Sequence, residues 1–306
     1  MNWHDEFRDI LTVGKELAPL TTYRIGGRAL LFFEPRDVDE TARLVARLAK
    51  EGLSFRTLGA GANLLIDDAD HEEPIIHIGR QKAVRALDSG GTFLEVEAGA
   101  SLPRLAADTA RDGLAGLDGL AGIPAQVGGA CWMNAGGRWG EFGNVVAAVQ
   151  MVDERGEVGE FDHEGAGFGY RRTNLPAGVV TRVRLRLERA AVPDEPRRRY
   201  AQILKEKGAV QPLQEPSGGC VFVNPDGESA GKIVEKLGLK GLAAGGAQVS
   251  ERHGNFIVNK GNARFADVLT LIETIEARVV EVLGVRLKRE IKIWRAGFLP
   301  RAARGK

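Results

Sequence analysis

Clustered glycine is the feature that most restricts how this chain can fold. There are 40 glycines in 306 residues, about 13% where about 7% is usual. They are not periodic, so a collagen-like helix is excluded. They gather in GAGANLL, GLDGLAGIPAQVGGA, NAGGRWG, GAGFGY and GLAAGGA. Backbone without a Cβ can approach another group closely, often a phosphate or a cofactor. LGAGANLL, residues 58–65, sets successive N–H groups in a tight turn after a strand. Such a turn can wrap a diphosphate through N–H dipoles alone, although one such loop is equally an ordinary surface turn. A second segment changes the balance. GIPAQVGGACWMNAGG, residues 122–137, is long, glycine-rich and mostly uncharged. It makes a poor surface loop and is better explained as backbone packed against a large, flat ligand.

Composition narrows the function classes. A chain of this length can form two or three domains with a well-buried core. A net charge of +1 creates no field to attract nucleic acid or an anionic membrane. Aromatic residues are 6%, too sparse for stacking platforms along a nucleic-acid strand. No apolar run reaches the length of a membrane span, and MNWHDEFRDI lacks the apolar region of a signal peptide. The chain is therefore expected in the cytoplasm without nucleic-acid or membrane partners; a monomer is the expected state, though nothing in the composition derives it. Cys131 and Cys220 make neither a disulfide framework nor a zinc site, so Cys220 should be a free thiol.

Periodicity predicts mixed strands and helices. Residues 38–50 read as a helix, with Asp37 as N-cap and Gly52 past the end. Ser101 caps a second helix that stops at Gly113. FRTLGAGANLLI reads as a strand and a turn, followed by a strand or a helix start. TFLEVEA alternates as a half-buried strand, residues 145–152 form an apolar strand, and TRVRLRLE, 181–188, alternates strictly. AAVPDEPRRR, 190–199, is Pro-rich and charged and marks a domain boundary. Helices are expected near 197–207, over 229–238 and over 264–284. In the last of these, Val268, Leu269, Ile272, Ile275, Val279 and Leu283 repeat at helical spacing. VRLKREIKI closes the chain as a strand, with Val285, Leu287, Ile291 and Ile293 on one side and Glu290 on the other. No internal repeat is present.

Several familiar motifs fail on inspection. GESAGKI, 227–233, is one residue short of a nucleotide-triphosphate loop and has Ile233 where a hydroxyl should hold magnesium. GAGANL has Leu64 in place of the third glycine of a dinucleotide fingerprint. The five histidines form no HExxH pair, so a catalytic metal is not expected, and there is no GxSxG elbow.

Seven motifs, in order over residues 20–294, carry a resemblance. They are TTYRIGG (21–27), LGAGANLL (58–65), LAGIPAQVGGACWMNAGG (120–137), FGYR (168–171), SGGCVFVNP (217–225), GLKGLAAGGAQVSERHGNFIVN (238–259) and the final LKREIKI. Together they resemble the UDP-N-acetylenolpyruvoylglucosamine reductase family, flavoenzymes that complete UDP-N-acetylmuramate for bacterial cell walls. The resemblance implies an α+β chain with an FAD-binding fold of the vanillyl-alcohol-oxidase (PCMH) type. Two FAD-binding subdomains would span 1–80, with a returning C-terminal strand at 285–300, and 81–190. A separate α+β substrate domain would span 191–284. The resemblance also implies NADPH as a reductant that binds transiently in the substrate pocket, which accounts for the missing Rossmann fingerprint. The segment after FGYR is short, as in the family's second class, which lacks a longer lid loop carrying a substrate-contacting tyrosine.

The implied reaction reduces the enolpyruvyl ether of UDP-N-acetylglucosamine enolpyruvate. Hydride from flavin N5 reaches the terminal methylene carbon, negative charge develops on the adjacent carbon and its carboxylate, and a proton follows. Such a site needs a positive group at the carboxylate and a neutral acid where the proton arrives. Cys220 stands where the family usually has serine. A thiol gives up a proton more readily than an alcohol but is larger and hydrogen-bonds weakly. The alternative reading of Cys220 is a buried small hydrophobe. Arg171 matches the arginine that grips the substrate carboxylate, although a solvated surface arginine is the plainer alternative. Glu290 matches a glutamate that orients or protonates the enol, against a surface glutamate paired with Lys288 or Lys292.

By the same matching, Tyr23 and Arg24 contact the cofactor. The first glycine loop does so through Gly59, Ala60, Gly61, Ala62, Asn63 and Leu64. The second contributes Gly122, Ile123, Pro124, Val127, Gly128, Gly129, Asn134, Ala135 and Gly136. Within it, Cys131 and Trp132 depart from the usual pattern in the side chains that would pack near the flavin. Asn224, Lys240 and His253 are implied as UDP-sugar contacts and Lys207 as a diphosphate contact; an exposed lysine or a variable surface position is the simpler alternative for them. Two other functions stay open: a flavin oxidase of the same superfamily with another substrate, and a flavin- and UDP-sugar-binding protein without turnover.

Overall fold

The computed structural model describes residues 3–297. Residues 298–300 of the expected C-terminal strand lie outside the described residues. The first sheet takes Leu11–Glu16, Arg28–Phe33, Ile75–His77 and Arg56–Leu58 in that spatial order. Its first pair is antiparallel and the other pairs are parallel. The parallel pairs require a crossover, and helix α1 (Val38–Lys50) supplies part of it. The Asp37 carboxylate accepts the Glu40 N–H at 2.8 Å and so caps the helix as its sequence predicts. Leu44, Val45 and Leu48 form the buried stripe of α1.

A second sheet is antiparallel throughout. Its order is Val158–Asp162, Val146–Asp153, Gly178–Arg186, Phe93–Glu97 and Val84–Ala86. Leu94 and Val96 are buried while Glu95 and Glu97 are only half-buried, as the alternation requires. Helices α2 (Leu102–Arg111) and α3 (Val127–Trp132) follow, then the short α4 (His163–Ala166). Leu44 and Phe33 share one apolar cluster with Val96 and Val183, so the first two sheets are built around a common core.

Helix α5 (Glu195–Val210) packs on α2 and on the turn at Asp118–Leu120. Its packing thus places it with the second sheet. Beyond it, helix α6 (Ala230–Lys236), strands Ala243–Ala244, Ala247–Val249 and Ile257–Asn259, and helix α7 (Phe265–Leu283) form a third group. Val268, Ile272, Ile275 and Val279 of α7 are buried there, and Gly284 closes the helix at φ +68°. Leu271 is buried and Leu283 is exposed, so the buried stripe ends before the last turn. Tyr23, Ile25 and Leu65 enter this core from the first part of the chain.

The segment at 56–66 resolves as strand, turn, strand. Leu64–Ile66 pairs in parallel with Lys292–Trp294. The closing strand is much shorter than VRLKREIKI suggests. Ile291 is buried and Val285, Leu287 and Ile293 are partly buried, so the alternation is real. From 285 to 291, however, the neighbour is the irregular segment around Val221, reached through Val223 N to Lys288 O and Glu290 N to Val221 O. An irregular neighbour cannot extend a ladder. Among the described residues no helix is long and apolar enough to cross a membrane.

The Asp37 cap yields a stability prediction. Asp37→Ala should lower unfolding free energy by about 1 kcal/mol, read from the urea midpoint of the purified protein. No change in midpoint would show that the cap contributes nothing.

Candidate active site

A cavity of about 2700 Å³ lies between the three groups of elements. Its lining includes both glycine loops, the segment before Cys220 and the end of the chain near Glu290. The first loop joins Arg56–Leu58 to Leu64–Ile66. Among the described residues, the amide N–H groups of Gly59 through Asn63 meet no acceptor. Gly61 is held at φ +60°, and a Cβ there would sit 2.4 Å from the Leu20 carbonyl oxygen. The glycine is therefore required by both conformation and space. In the second loop, Val127 N and Gly128 N donate to Ala100 O at 2.9 Å and Ala98 O at 2.8 Å. These bonds pin α3 to the end of strand Phe93–Glu97. A Cβ on Gly129 would meet nothing within 4 Å, so that backbone is bare.

A row of unpaired amide donors beside a bare, mostly apolar wall is the donor set that a diphosphate joined to a flat ring system needs. The residues present therefore fit FAD. Arg24, the residues from Gly59 to Leu64, Gly122, Ile123, Pro124, Gly128, Gly129, Ala135 and Gly136 all line the cavity. Tyr23, Val127 and Asn134 are outside this lining. Tyr23 and Val127 are fully buried core residues. Tyr23 fits because residue 218 is glycine: a Cβ there would lie 2.4 Å from its ring. Asn134 is buried, with its amide spent on the protein itself.

Cys220, Arg171 and Glu290, far apart in sequence, line the same cavity. Arg171 has φ +57°, a strained value for a residue with a side chain. Its Nε donates to Glu290 Oε1 at 2.6 Å and its Nη2 to Gly136 O at 2.8 Å. Its Nη1 is buried without a partner among the described residues. Burial works against the guanidinium charge, but the Glu290 carboxylate outweighs it and raises the Arg171 pKa. Glu290 is thus paired with Arg171 and not with Lys288 or Lys292. Neither residue is a solvated surface group, since their side chains are 18% and 13% exposed.

Cys220 is half-buried at the cavity wall. Burial pushes its thiol up to about 12; Glu290 adds to the rise and Arg171 opposes it. The thiol is therefore neutral across the physiological range. The gain in acidity expected on replacing serine by cysteine is largely removed by desolvation. Cys131 is buried away from the cavity, whereas its neighbour Trp132 is exposed and lines it.

Two of the four implied substrate contacts reach the cavity. Lys207 is buried, its Nζ donates to Ala121 O at 2.6 Å, and it sits 5.2 Å from the Trp139 ring centroid. Burial pushes its amine down to about 8. His253 lines the cavity too, its Nδ1 accepting from Asn255 N at 3.2 Å. Burial, helped by nearby Lys240, keeps its imidazole below the ordinary value. Asn224 accepts the Ala230 N–H at 3.0 Å and caps α6, and Lys240 pairs with Glu235 at 3.1 Å. Sequence reading missed Gln126, Trp139, Ser217 and Ser229, which also line the cavity. The Pro-Ser-Gly-Gly run before Cys220 was the one signal for Ser217.

Comparison with known proteins follows the same lines. Residues 211–294 match the C-terminal domain of UDP-N-acetylenolpyruvoylglucosamine reductase, and residues 29–162 match an FAD binding domain. The UDP-N-acetylenolpyruvoylglucosamine reductase of Heliobacterium modesticaldum is 41% identical over 89% of this chain and 87% of its own. That of Thermus thermophilus is 42% identical over 90% of this chain and 97% of its own. The chain belongs to the UDP-N-acetylenolpyruvoylglucosamine reductase family. The crystal structure of the Thermus caldophilus reductase superposes with a TM-score of 0.81 at 40% identity. It covers 93% of this chain and all of the other. The fold is thus α+β with a PCMH-type FAD-binding region, and the protein is an FAD-dependent oxidoreductase of peptidoglycan synthesis. Helix α5, which carries Lys207, lies between the two matched regions.

The raised thiol pKa is open to direct test. At pH 9 an ordinary thiol is about three-quarters ionised, whereas Cys220 should be about a thousandth ionised. Iodoacetamide should alkylate Cys220 correspondingly slowly, with the rate still rising above pH 10 by mass spectrometry of the labelled peptide. A rate that levels off near pH 9 would contradict the burial effect.

Proposed function

We propose that this protein uses NADPH to reduce UDP-N-acetylglucosamine enolpyruvate to UDP-N-acetylmuramate, with Cys220 as proton donor. The observation that carries the reading is the convergence of a neutral thiol, a half-spent guanidinium and a carboxylate on a cavity also lined by both glycine loops. Bound FAD supplies hydride chemistry at the methylene carbon of the enolpyruvyl group. Arg171 holds the substrate carboxylate through its unpaired Nη1 and balances the charge that develops there. Glu290 holds Nε and so fixes the plane of the guanidinium. Cys220 Sγ–H gives its proton to the carbon next to the carboxylate. The developing carbanion is far more basic than a thiolate, so a raised thiol pKa does not prevent transfer. The thiolate recovers a proton from solvent entering the cavity.

Lys207 and His253 are assigned to the diphosphate and sugar. A buried amine without a carboxylate partner gains most from a phosphate. The chain is divided as 1–80 with the C-terminal segment, 81–190 and 191–284, with helix α5 at the start of the last part packing back onto α2 of the second. Every group named comes from one chain, so one copy suffices.

Stopped-flow measurement of each half-reaction tests the roles. Cys220→Ser should retain substantial turnover. Cys220→Ala should still be reduced by NADPH but fail to be reoxidised by the enolpyruvyl substrate; full turnover would remove Cys220 from the mechanism. Arg171→Ala should slow reoxidation about 100- to 1000-fold, the scale of losing a charge-stabilising contact. An unaltered reoxidation rate would count against its assignment.

A further inference from the structure

Asn134 was expected at the cofactor, but its side chain is used elsewhere. It is 2% exposed and has φ +42°, a left-handed backbone that asparagine tolerates. Its Nδ2 donates to Gly169 O at 3.0 Å and Glu141 Oε2 at 2.9 Å. Its Oδ1 accepts the Gly143 N–H at 2.8 Å. Gly169 opens the tight turn that carries Arg171: Gly169 N donates to Arg172 O at 3.0 Å and Arg172 N to Gly169 O at 3.1 Å. The turn keeps Arg171 in its strained conformation, which must be held by its surroundings. Two residues beyond Asn134, Gly136 O accepts Arg171 Nη2. Residues 134–136 therefore grip both the backbone of the turn and the tip of the guanidinium.

We propose that Asn134 is a positioning residue that sets Arg171 for the substrate carboxylate. The inference rests on the reading of Arg171 given above. Losing the amide removes one of the two donors on Gly169 O and leaves only Arg172 N, which lets the turn relax out of the left-handed region and swings the guanidinium from its place. The flavin contacts of the bare glycine backbone do not depend on it.

The flavin-loaded Asn134→Gly variant, which keeps the left-handed backbone open, provides the test. Asn134→Asp provides a second variant of the same shape that removes the donor. Reduction by NADPH and flavin content should stay within about twofold of the parent, while reoxidation by the enolpyruvyl substrate falls about tenfold, the scale of a lost buried hydrogen bond. In an Arg171→Ala background, adding Asn134→Gly should cost less than about twofold, because the two residues act through one contact. Amide hydrogen exchange in a peptide spanning 168–172 should quicken about tenfold in both variants. Costs that multiply in the double variant, or loss of flavin with unchanged exchange at 168–172, would overturn the proposal. If the parent itself is not reoxidised by the substrate, the reductase reading fails, and the exchange measurement alone decides whether Asn134 holds the turn.

Discussion

The ion pair between Arg171 and Glu290 joins segments 119 residues apart and closes the site. One partner stands on a strained turn between two strands of the second sheet, Val158–Asp162 and Gly178–Arg186. The other stands on the segment that runs into Lys292–Trp294, which pairs with Leu64–Ile66 just after the first glycine loop. Removing both charges from water is costly, and the pair repays that only with good geometry and further hydrogen bonds. Arg171 has such a bond to Gly136 but leaves Nη1 without one. A buried cation with one open donor is an incomplete network. Such a network favours an anionic ligand that completes it.

The same burial governs the thiol. Cys220 is near a cation that would lower its pKa and an anion that would raise it, yet desolvation is the largest influence. The outcome is a proton held on sulfur until a stronger base arrives. Lys207 shows the opposite sign of the same effect, since burial there disfavours the charged amine. Burial at two places along the cavity thus keeps an acid protonated and makes an amine easier to discharge.

Much of the fold is legible in the residues. The cap at Asp37, the alternation of Leu94 and Val96 with Glu95 and Glu97, and the apolar stripe of α7 are local patterns with local causes. The bare glycine loops are also legible, because no other residue type tolerates such crowding as Gly61 meets at Leu20. Less is legible where the partner is distant. The strand predicted over 285–293 keeps its apolar side but lacks a ladder until Lys292, because its neighbour near Val221 is irregular. Asn224 also accepts the Ala230 N–H at the start of a helix, a contact that its sequence neighbours do not announce. Asn134 binds the turn before Arg171, and nothing in its sequence neighbours announces Gly169.

Chemical type and local conformation were thus determined by the chain itself: where glycine must stand, which helices are capped, which side chains can donate or hold a proton. Tertiary structure alone decided which of them meet. Whether Glu290 pairs with a neighbouring lysine or with Arg171 depends on contacts between segments that are remote along the chain. Those contacts also set solvation, and solvation raised the thiol of Cys220 and lowered the amine of Lys207. A pKa reflects the surroundings of a group, and those surroundings exist only once the three groups of elements have closed around the cavity.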